Sequence, residues 1–489
     1  MLWLGLDGDG PLQGQVYRAV RAAILEGRLP PGARLASTRE LAAELGVSRN
    51  TALAACERLA AEGYTETRRG AGTFVAATLS GPARPAASRA EARVPLALPR
   101  SAWGQRLESD VPRGRASWAL PRERVAVDFR YGEPAYAELP LATWARLLGR
   151  RARRLSVKRL AYQAPGGAPE LREALAGYLA RARGVRCTPE RIVVVHGSQQ
   201  AIDLVMRLVL DPGDGVVLED PHYTGFSFCA AALGARPLFV PVDEQGLRVD
   251  ALAGVARARL ACVTPSHQYP AGGVLSLPRR LALLDWAARH DALVLEDDYD
   301  GEFRYDGPPL ESLQSLDRNG RVVYVGTASK LFFPALRIGW IVAPEPLVPS
   351  LLAAQAISDT GTATLEQLAF ADFVAEGHLE RHVRRSRRRN GARRRALIEA
   401  ARRELGERVH VLGADAGLHV LLRFEDVPAR EARRLREACR ARGVGVYPAA
   451  PFYARPPARA ELLLGYASLS ERQIRDGIRR VREALDAVG

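Results

Sequence analysis

The chain has 489 residues, 47% of them hydrophobic and 26% charged, and 70 Lys+Arg against 55 Asp+Glu give a net charge of +15. That is the composition of a globular protein of two or three domains, and it excludes a mainly disordered chain. No apolar run approaches the roughly 18–20 residues that span a bilayer, and the opening Met1–Gly10 lacks the basic and apolar regions of a secretion signal, so a cytoplasmic location is expected.

Five cysteines (Cys56, Cys187, Cys229, Cys262, Cys439) lie far apart with no CxxC spacing, and read as buried thiols of a reducing compartment. Only two of the 70 basic residues are lysines, Lys158 and Lys330. Arginine serves wherever a plain positive charge suffices, so each lysine is a candidate for chemistry that needs an amine able to lose its proton.

Residues 1–76 predict short helices followed by a small hairpin. Val16, Val20, Ala23 and Ile24 fall on one helical stripe, and Pro30-Pro31-Gly32 stops that helix. Ser37 and Glu40 fit a capping box ahead of Leu41, Ala42 and Leu45. Gly46 allows a tight turn, Ser48 caps a third helix, and Leu53, Cys56 and Leu59 are expected on its inner face. Tyr64–Arg68, a turn at Arg69–Gly72 and Thr73–Val75 then make a two-stranded wing. This is a winged helix-turn-helix, with Arg49, Asn50 and Thr51 opening the helix whose first turn reaches base edges in the major groove. Arginine pairs with guanine and asparagine with adenine.

Residues 77–122 are rich in Pro, Ala, Ser, Gly and Arg without periodicity and read as a linker. They hold eight Arg against three acidic residues, while 1–76 hold nine Arg against eight. From about 123 onward, strand-like runs (191–195, 216–219, 260–263, 292–295, 322–325) alternate with amphipathic helices. That pattern predicts an α/β domain, 123–489, around a mostly parallel sheet.

Five segments of this domain carry candidate chemistry. His196-Gly-Ser-Gln-Gln200 opens a helix with small residues whose free N–H groups can cradle phosphate. Glu219-Asp-Pro-His-Tyr223 offers Tyr223 to stack on a flat ring. Thr264–Gly272 is a polar loop after a strand. Glu296-Asp-Asp-Tyr-Asp300 puts carboxylates at a strand's carboxyl end, where open α/β sheets bind ligands. There a carboxylate can hold a pyridine nitrogen protonated while Tyr299 hydrogen-bonds a ring hydroxyl; a Mg²⁺ site is the rival, with no second acidic cluster to support it. Gly326-Thr-Ala-Ser-Lys330 supplies a lysine able to form a Schiff base, and Thr327, Ser329 and Arg337 are natural partners of one phosphate. In this order the parts describe a pyridoxal 5'-phosphate (PLP) site.

Two resemblances follow. Residues 12–75, through Leu-Ala-Ser-Thr-Arg-Glu-Leu-Ala, Leu-Gly-Val-Ser-Arg-Asn-Thr and Gly-x-Gly-Thr-Phe-Val, resemble a GntR-type winged helix, with Ala36 in place of a common proline. By that match Arg39, Ser48, Arg49, Thr51 and Gly72 face DNA. Residues 125–485 resemble fold type I aminotransferases, and the whole chain resembles the MocR/GabR regulators. The resemblance implies a homodimer that binds an operator in double-stranded DNA and responds to PLP or to an amine or amino-acid effector. It implies Lys330 as the Schiff-base lysine, Asp297 at the pyridine nitrogen, Tyr299 at the ring hydroxyl, Tyr223 on the ring, and Ser198, Gln199, Thr327, Ser329 and Arg337 on phosphate. Tyr162 would reach a neighbouring subunit's phosphate, and His267 or Gln268 would stand where aminotransferases place an asparagine against the ring.

Two departures stand out. The run Leu462-Leu-Leu-Gly-Tyr466 puts leucine where aminotransferases carry a carboxylate-clamping arginine, leaving Arg455 and Arg459 as substitutes, and Ala271 replaces a common threonine. An active aminotransferase with an accessory DNA-binding domain is the alternative, and a decayed PLP module a third reading. His378 and His382, four residues apart, read as an exposed helix face because no third metal ligand accompanies them. Arg384–Arg395 reads as a solvated face, and no metal site is expected.

Overall fold

The computed structural model describes residues 4–79, 99–109, 124–255, 257–307 and 310–488. The chain divides into two compact units, Met1–Pro99 and Arg100–Gly489.

The smaller unit consists of three helices and a hairpin: α1 (Leu12–Leu25), α2 (Thr38–Leu45), α3 (Arg49–Ala61), β1 (Thr65–Arg68) and β2 (Gly72–Val75). Val16, Val20, Ala23 and Ile24 are buried as expected. Ser37 and Glu40 form the full capping box, and Gly46 ends α2 in the left-handed conformation. The inner face of α3 differs from expectation. It is Ala52, Ala55, Cys56 and Leu59, while Leu53 is 42% exposed. Small alanines let α1 and α3 approach closely, and that turns the larger leucine outward.

In the larger unit an eight-stranded sheet has the order β4-β11-β10-β9-β8-β5-β6-β7. After a short β3 (Val127–Asp128), its strands are β4 (Ile192–Val195), β5 (Gly215–Asp220), β6 (Arg236–Asp243), β7 (Gly246–Leu247), β8 (Leu260–Val263), β9 (Leu293–Asp298), β10 (Val322–Thr327) and β11 (Gly339–Val342). The pairs β10–β9, β9–β8, β8–β5 and β5–β6 are parallel. β11 runs antiparallel between β10 and β4, and β7 closes a hairpin on β6. The expected strands are all present, and their residues are buried on both faces, as a helix-covered sheet requires. A second, antiparallel sheet follows: β12 (Val409–Leu412), β13 (His419–Pro428), β15 (Tyr447–Pro448) and β16 (Arg459–Gly465), in the order β12-β13-β16-β15, with β14 (Val444–Gly445) pairing β3.

Within 77–122, Ala102–Ser109 (α4) is a helix lying on Thr224–Leu233 of the larger unit. Arg106 donates to the Ala232 carbonyl at 2.9 Å, and the Arg207 guanidinium sits 5.7 Å from the Trp103 ring centre. Residues 80–98 and 110–123 lie outside the described residues. Four cysteines are buried and Cys187 is half-buried, all with free thiols. Among the described residues, no helix is long and apolar enough to cross a membrane.

Candidate functional site

On the smaller unit the first turn of α3 is open to solvent: Ser48, Arg49 and Asn50 are exposed and Thr51 is half-buried. The Ser48 hydroxyl accepts from the Thr51 N–H at 3.1 Å and meets the Thr51 hydroxyl at 2.8 Å. Ser48 and Thr51 thus hold the helix end, and Arg49 and Asn50 are left as the long free side chains there. Arg39 is exposed on α2. Gly72 has φ +111°, a conformation open to glycine, and a Cβ there would meet Arg34 Nε at 3.1 Å.

In the larger unit the carboxyl ends of β4, β5, β8, β9 and β10 surround one cavity of about 620 Å³. Ser198, Gln199, Tyr223, Asp297, Tyr299, Thr327, Ser329, Lys330 and Arg337 all line it. Sheet topology explains the gathering, because parallel strands present their following loops on one edge. Gly197, φ +92°, starts the 12-residue helix Ser198–Val209 with no side-chain cap, so its first N–H groups face the cavity unclaimed by a cap. A Cβ on Gly197 would lie 2.9 Å from Arg337 Nη2. Arg337 donates to the His196 carbonyl, and the Thr327 and Ser329 hydroxyls meet at 3.0 Å. Helix dipole, hydroxyls and guanidinium converge as an anion site.

Lys330 Nζ donates to the Gly132 carbonyl at 2.6 Å. Burial lowers its pKa, opposed by the carboxylates of Asp300, Asp297 and Glu133, which enlarges the share of nucleophilic amine. Asp297 is buried and its Oδ1 has no hydrogen-bond partner. Burial, and then Asp298, push its carboxyl up to about 7, against the pull of Lys330. An orphaned carboxylate oxygen, a semi-desolvated lysine and an uncapped helix end with a glycine cradle fit the nitrogen, aldehyde and phosphate of PLP. Behind Asp297, Asp298 is locked by Arg183 Nε at 2.6 Å and the Tyr324 hydroxyl at 2.8 Å.

Tyr223 donates to Gln199 Oε1 at 3.1 Å. Gly225 leaves room for this pair, since a Cβ there would fall 2.3 Å from the Tyr223 ring. The loop 264–272 corrects one expectation. Neither His267 nor Gln268 lines the cavity; Tyr269 does. Gln268 turns inward, its amide donating to Glu219 Oε2 at 3.1 Å and to the Pro221 and Tyr269 carbonyls at 2.8 Å. His267 lies behind Tyr299, its Nδ1 2.9 Å from that hydroxyl and 3.0 Å from Asp300 Oδ2. The Tyr269 ring meets Tyr299, Tyr223 and Phe452 edge-on at 5.6, 5.9 and 5.2 Å.

Lining residues that sequence reasoning missed complete the cavity. Arg130–Glu133 follows β3, with Arg130 Nε 2.9 Å from Glu133 Oε1, and Tyr136 comes soon after it; Leu418 precedes β13 and His419 opens it; Pro334 lies between Lys330 and Arg337. The readable signal for Arg130–Glu133 was the aromatic-glycine turn Phe129-Arg-Tyr-Gly132 after alternating apolar residues.

Comparison with known proteins agrees with both units. Residues 126–481 match the model of aminotransferase class I and II, and 12–75 that of bacterial regulatory proteins of the gntR family. The chain is 37% identical to the "Probable rhizopine catabolism regulatory protein MocR" of Rhizobium meliloti, covering 100% of this chain and 96% of that one. It is 34% identical to the HTH-type transcriptional regulator TauR of Rhodobacter capsulatus over 99% and 98% of the two. Among solved structures, α-aminoadipate aminotransferase LysN of Thermus thermophilus, complexed with N-(5'-phosphopyridoxyl)-L-leucine, superposes with TM-score 0.68 at 31% identity, covering 74% of this chain and 92% of that one.

The chain belongs to the MocR-type regulators. Members join a GntR DNA-binding unit to an aminotransferase-fold unit, and that fold implies PLP. Against ordinary aminotransferases, this MocR-type chain differs where a substrate carboxylate would be gripped. Leu463, paired with Leu421 and Tyr447, is buried in an apolar cluster with Tyr131, Tyr269 and Phe452. Leu462 and Leu464 face the opposite core. Arg455 and Arg459 are exposed and line no part of the cavity; Arg130 is the arginine at that end.

Other expectations shift. Tyr162 is 92% exposed and lines a separate hollow with Gly361 and Thr362. His382 is buried against the edge of Phe332, and His378 stacks on Phe373 at 5.6 Å, so this helix face packs inward instead of facing solvent. In the arginine run, Arg393 pairs with Glu138 and Arg394 with Asp306, so only part of that face is solvated. His267, Asp300 and His419 bring potential metal-ligand atoms within 4.8 Å of one another, a cluster that sequence spacing does not reveal.

Proposed function

We propose that this cytoplasmic regulator senses PLP, or an amino compound reacting at Lys330, and converts that event into a change in operator binding. The observation that carries the reading is a buried-edge lysine beside an anion cradle in the same chain as a helix with an open first turn. Residues 1–76 read DNA through Arg39, Ser48, Arg49, Asn50, Thr51 and Gly72; 77–122 tether; 123–489 receive the signal. When bound, PLP supplies an aldehyde carbon and an electron-withdrawing ring. Lys330 Nζ acts as nucleophile, Asp297 holds a proton at the ring nitrogen, and Tyr299 donates to the ring oxygen. Tyr223 and Tyr269 wall the ring, and Ser198, Gln199, Thr327, Ser329 and Arg337 bind phosphate. A homodimer, with Tyr162 reaching the phosphate of a second copy, is supported by the exposure of Val157, Leu160, Tyr162 and Ile357 at 83%, 70%, 92% and 88%.

The effector must bind two arrangements of the protein with different affinity, or it shifts nothing. Operator affinity is therefore measured with and without PLP and across a panel of amines, in wild type and Lys330→Ala. The expected result is a change of about 5–150-fold in wild type that Lys330→Ala lacks; identical affinity under all conditions overturns the reading. Arg49→Ala weakens specific binding by about 1–3 kcal/mol and relaxes base preference, through loss of a bidentate base contact. Equal loss on all sequences makes Arg49 a phosphate contact instead. The second reading, an active aminotransferase, is favoured by the complete Lys330, Asp297 and Tyr299 set, which also opposes a decayed site.

A further inference from the structure

We propose that His267 is a positioning residue: held by Asp300, it fixes the direction in which the Tyr299 hydroxyl donates, keeping that proton turned into the cavity. The inference rests on the cofactor reading above and gives a role to a residue that does not touch the cavity.

His267 Nδ1 faces two oxygens at once, Asp300 Oδ2 at 3.0 Å and the Tyr299 hydroxyl at 2.9 Å. The other ring nitrogen, Nε2, is buried with no partner. A proton on Nε2 would be an unsatisfied buried donor, which costs more than a bare lone pair. The neighbouring carboxylate favours the same tautomer. Nδ1 therefore carries the proton, and it offers Tyr299 a donor, not an acceptor. Tyr299 cannot give its proton to the imidazole.

The imidazole N–H engages Asp300 Oδ2 and occupies the same side of the Tyr299 oxygen, while Asp300 Oδ1 has no hydrogen-bond partner. A phenolic proton lies in the plane of its ring, so a donor fixed on one side of the oxygen turns it to the other, toward the cavity that Tyr299 lines. Without the imidazole that side of the oxygen is open, and the tyrosine proton turns to the Asp300 carboxylate within its reach. The ring has little freedom to escape this arrangement. His267 is 1% exposed, the His419 ring lies 5.0 Å away, and Gly417, φ +79°, presses so close that a Cβ there would fall 2.1 Å from His267 Cε1. From the other packed elements, Tyr269, His419, Tyr305, Tyr466, Asp297 and Lys330 face the His267–Asp300–Tyr299 group. Burial pushes His419 well below its ordinary value, so it stays neutral beside His267.

The test is the pH titration of the visible band of the PLP-loaded full chain. A donor at the ring oxygen matters most after the adjacent nitrogen has lost its proton and the oxygen's negative charge stands alone. Losing that donor raises the titration midpoint. His267→Phe raises it by about one unit, as Tyr299→Phe does, and the double variant shifts no further than Tyr299→Phe alone. His267→Asn, whose amide nitrogen takes the place of Nδ1, restores most of the wild-type midpoint. A wild-type midpoint in His267→Phe, or additive shifts in the double variant, overturns the proposal. If His267→Phe does not fold, the comparison of His267→Asn with His267→Gln decides: Gln places its amide at the Nε2 position, so equal midpoints overturn it. A wild-type protein with no titrating visible band sinks the cofactor reading itself, an outcome distinct from all of these.

Discussion

Lys330→Ala yields a protein that forms no borohydride-reducible bond to PLP, while wild type forms one bond per chain. The chain has two lysines, and only one of them is placed for this chemistry. Lys158 is exposed on a short surface helix, Val157–Leu160. Lys330 stands at the carboxyl end of β10, lowered toward the free amine by burial and steadied by the Gly132 carbonyl. Because Ser198, Thr327, Ser329 and Arg337 are untouched, the variant still binds the cofactor's phosphate without the covalent link. Peptide mapping after reduction identifies the modified lysine directly. Retention of a reducible linkage in Lys330→Ala overturns the assignment and moves it to Lys158.

The second large effect is kinetic. Single-turnover conversion of bound PLP to its pyridoxamine form by ordinary α-amino acids is slower by about 10²-fold than with a substrate held at two points. Bound PLP would supply the electron-withdrawing ring, and Lys330 would move the proton only from a substrate that the chain holds in one orientation. A carboxylate clamp fixes that orientation. In the run that resembles the clamp segment, Leu462–Tyr466, the leucine on the cavity side is Leu463, in one apolar cluster with Leu421, Tyr131, Tyr269 and Phe452. Among the described residues that line the cavity, Arg130 is the arginine next to Tyr131 of this cluster, and it lies 2.9 Å from Glu133. Rapid conversion with multiple turnovers establishes the aminotransferase reading, and Arg130→Ala, ahead of Arg455 or Arg459, then identifies the clamp.

What the sequence disclosed, and what it hid, follows from physical rules. Five strands of the main sheet, β4, β5, β8, β9 and β10, were legible because burial on both faces writes them as unbroken apolar runs, whereas β6, largely open to solvent, carries no such run. Lys330 was legible because arginine had replaced nearly every other lysine. The loop 264–272 was only half legible. It has no periodicity, so its polar character showed while its register did not, and the cavity-facing place went to His267 or Gln268 instead of Tyr269. Leu53 misled because hydrophobic patterning favours large side chains inside, whereas α3 packs through alanines. His382 was hidden by its arginine-rich neighbours, although Leu379 and Val383 share its buried face. Residues Arg130–Glu133 and His419 reach the cavity through tertiary folding of β3 and β13; the Phe129–Gly132 pattern marks a turn, but nothing local says where that turn docks, and His419 has no local signal at all.

The antiparallel insertion of β11 has a mechanical consequence. β4 is the edge strand of the main sheet, paired with β11 on one side and held on the other by single bonds of Val194 to the Gly166 carbonyl and the Gln355 amide, and the loop after β4 carries Gly197 and Ser198. Thr327 and Ser329 hang from β10 on the other side of the same strand, and Arg337 precedes it. An anion gripped by all of them splints β4, β11 and β10 together at one end. Edge strands open more readily than central ones, so loss of β4 dismantles the cradle while the parallel core remains intact, and a bound phosphate opposes that loss by tying β4 to β10 and β11, from which it is distant in the chain.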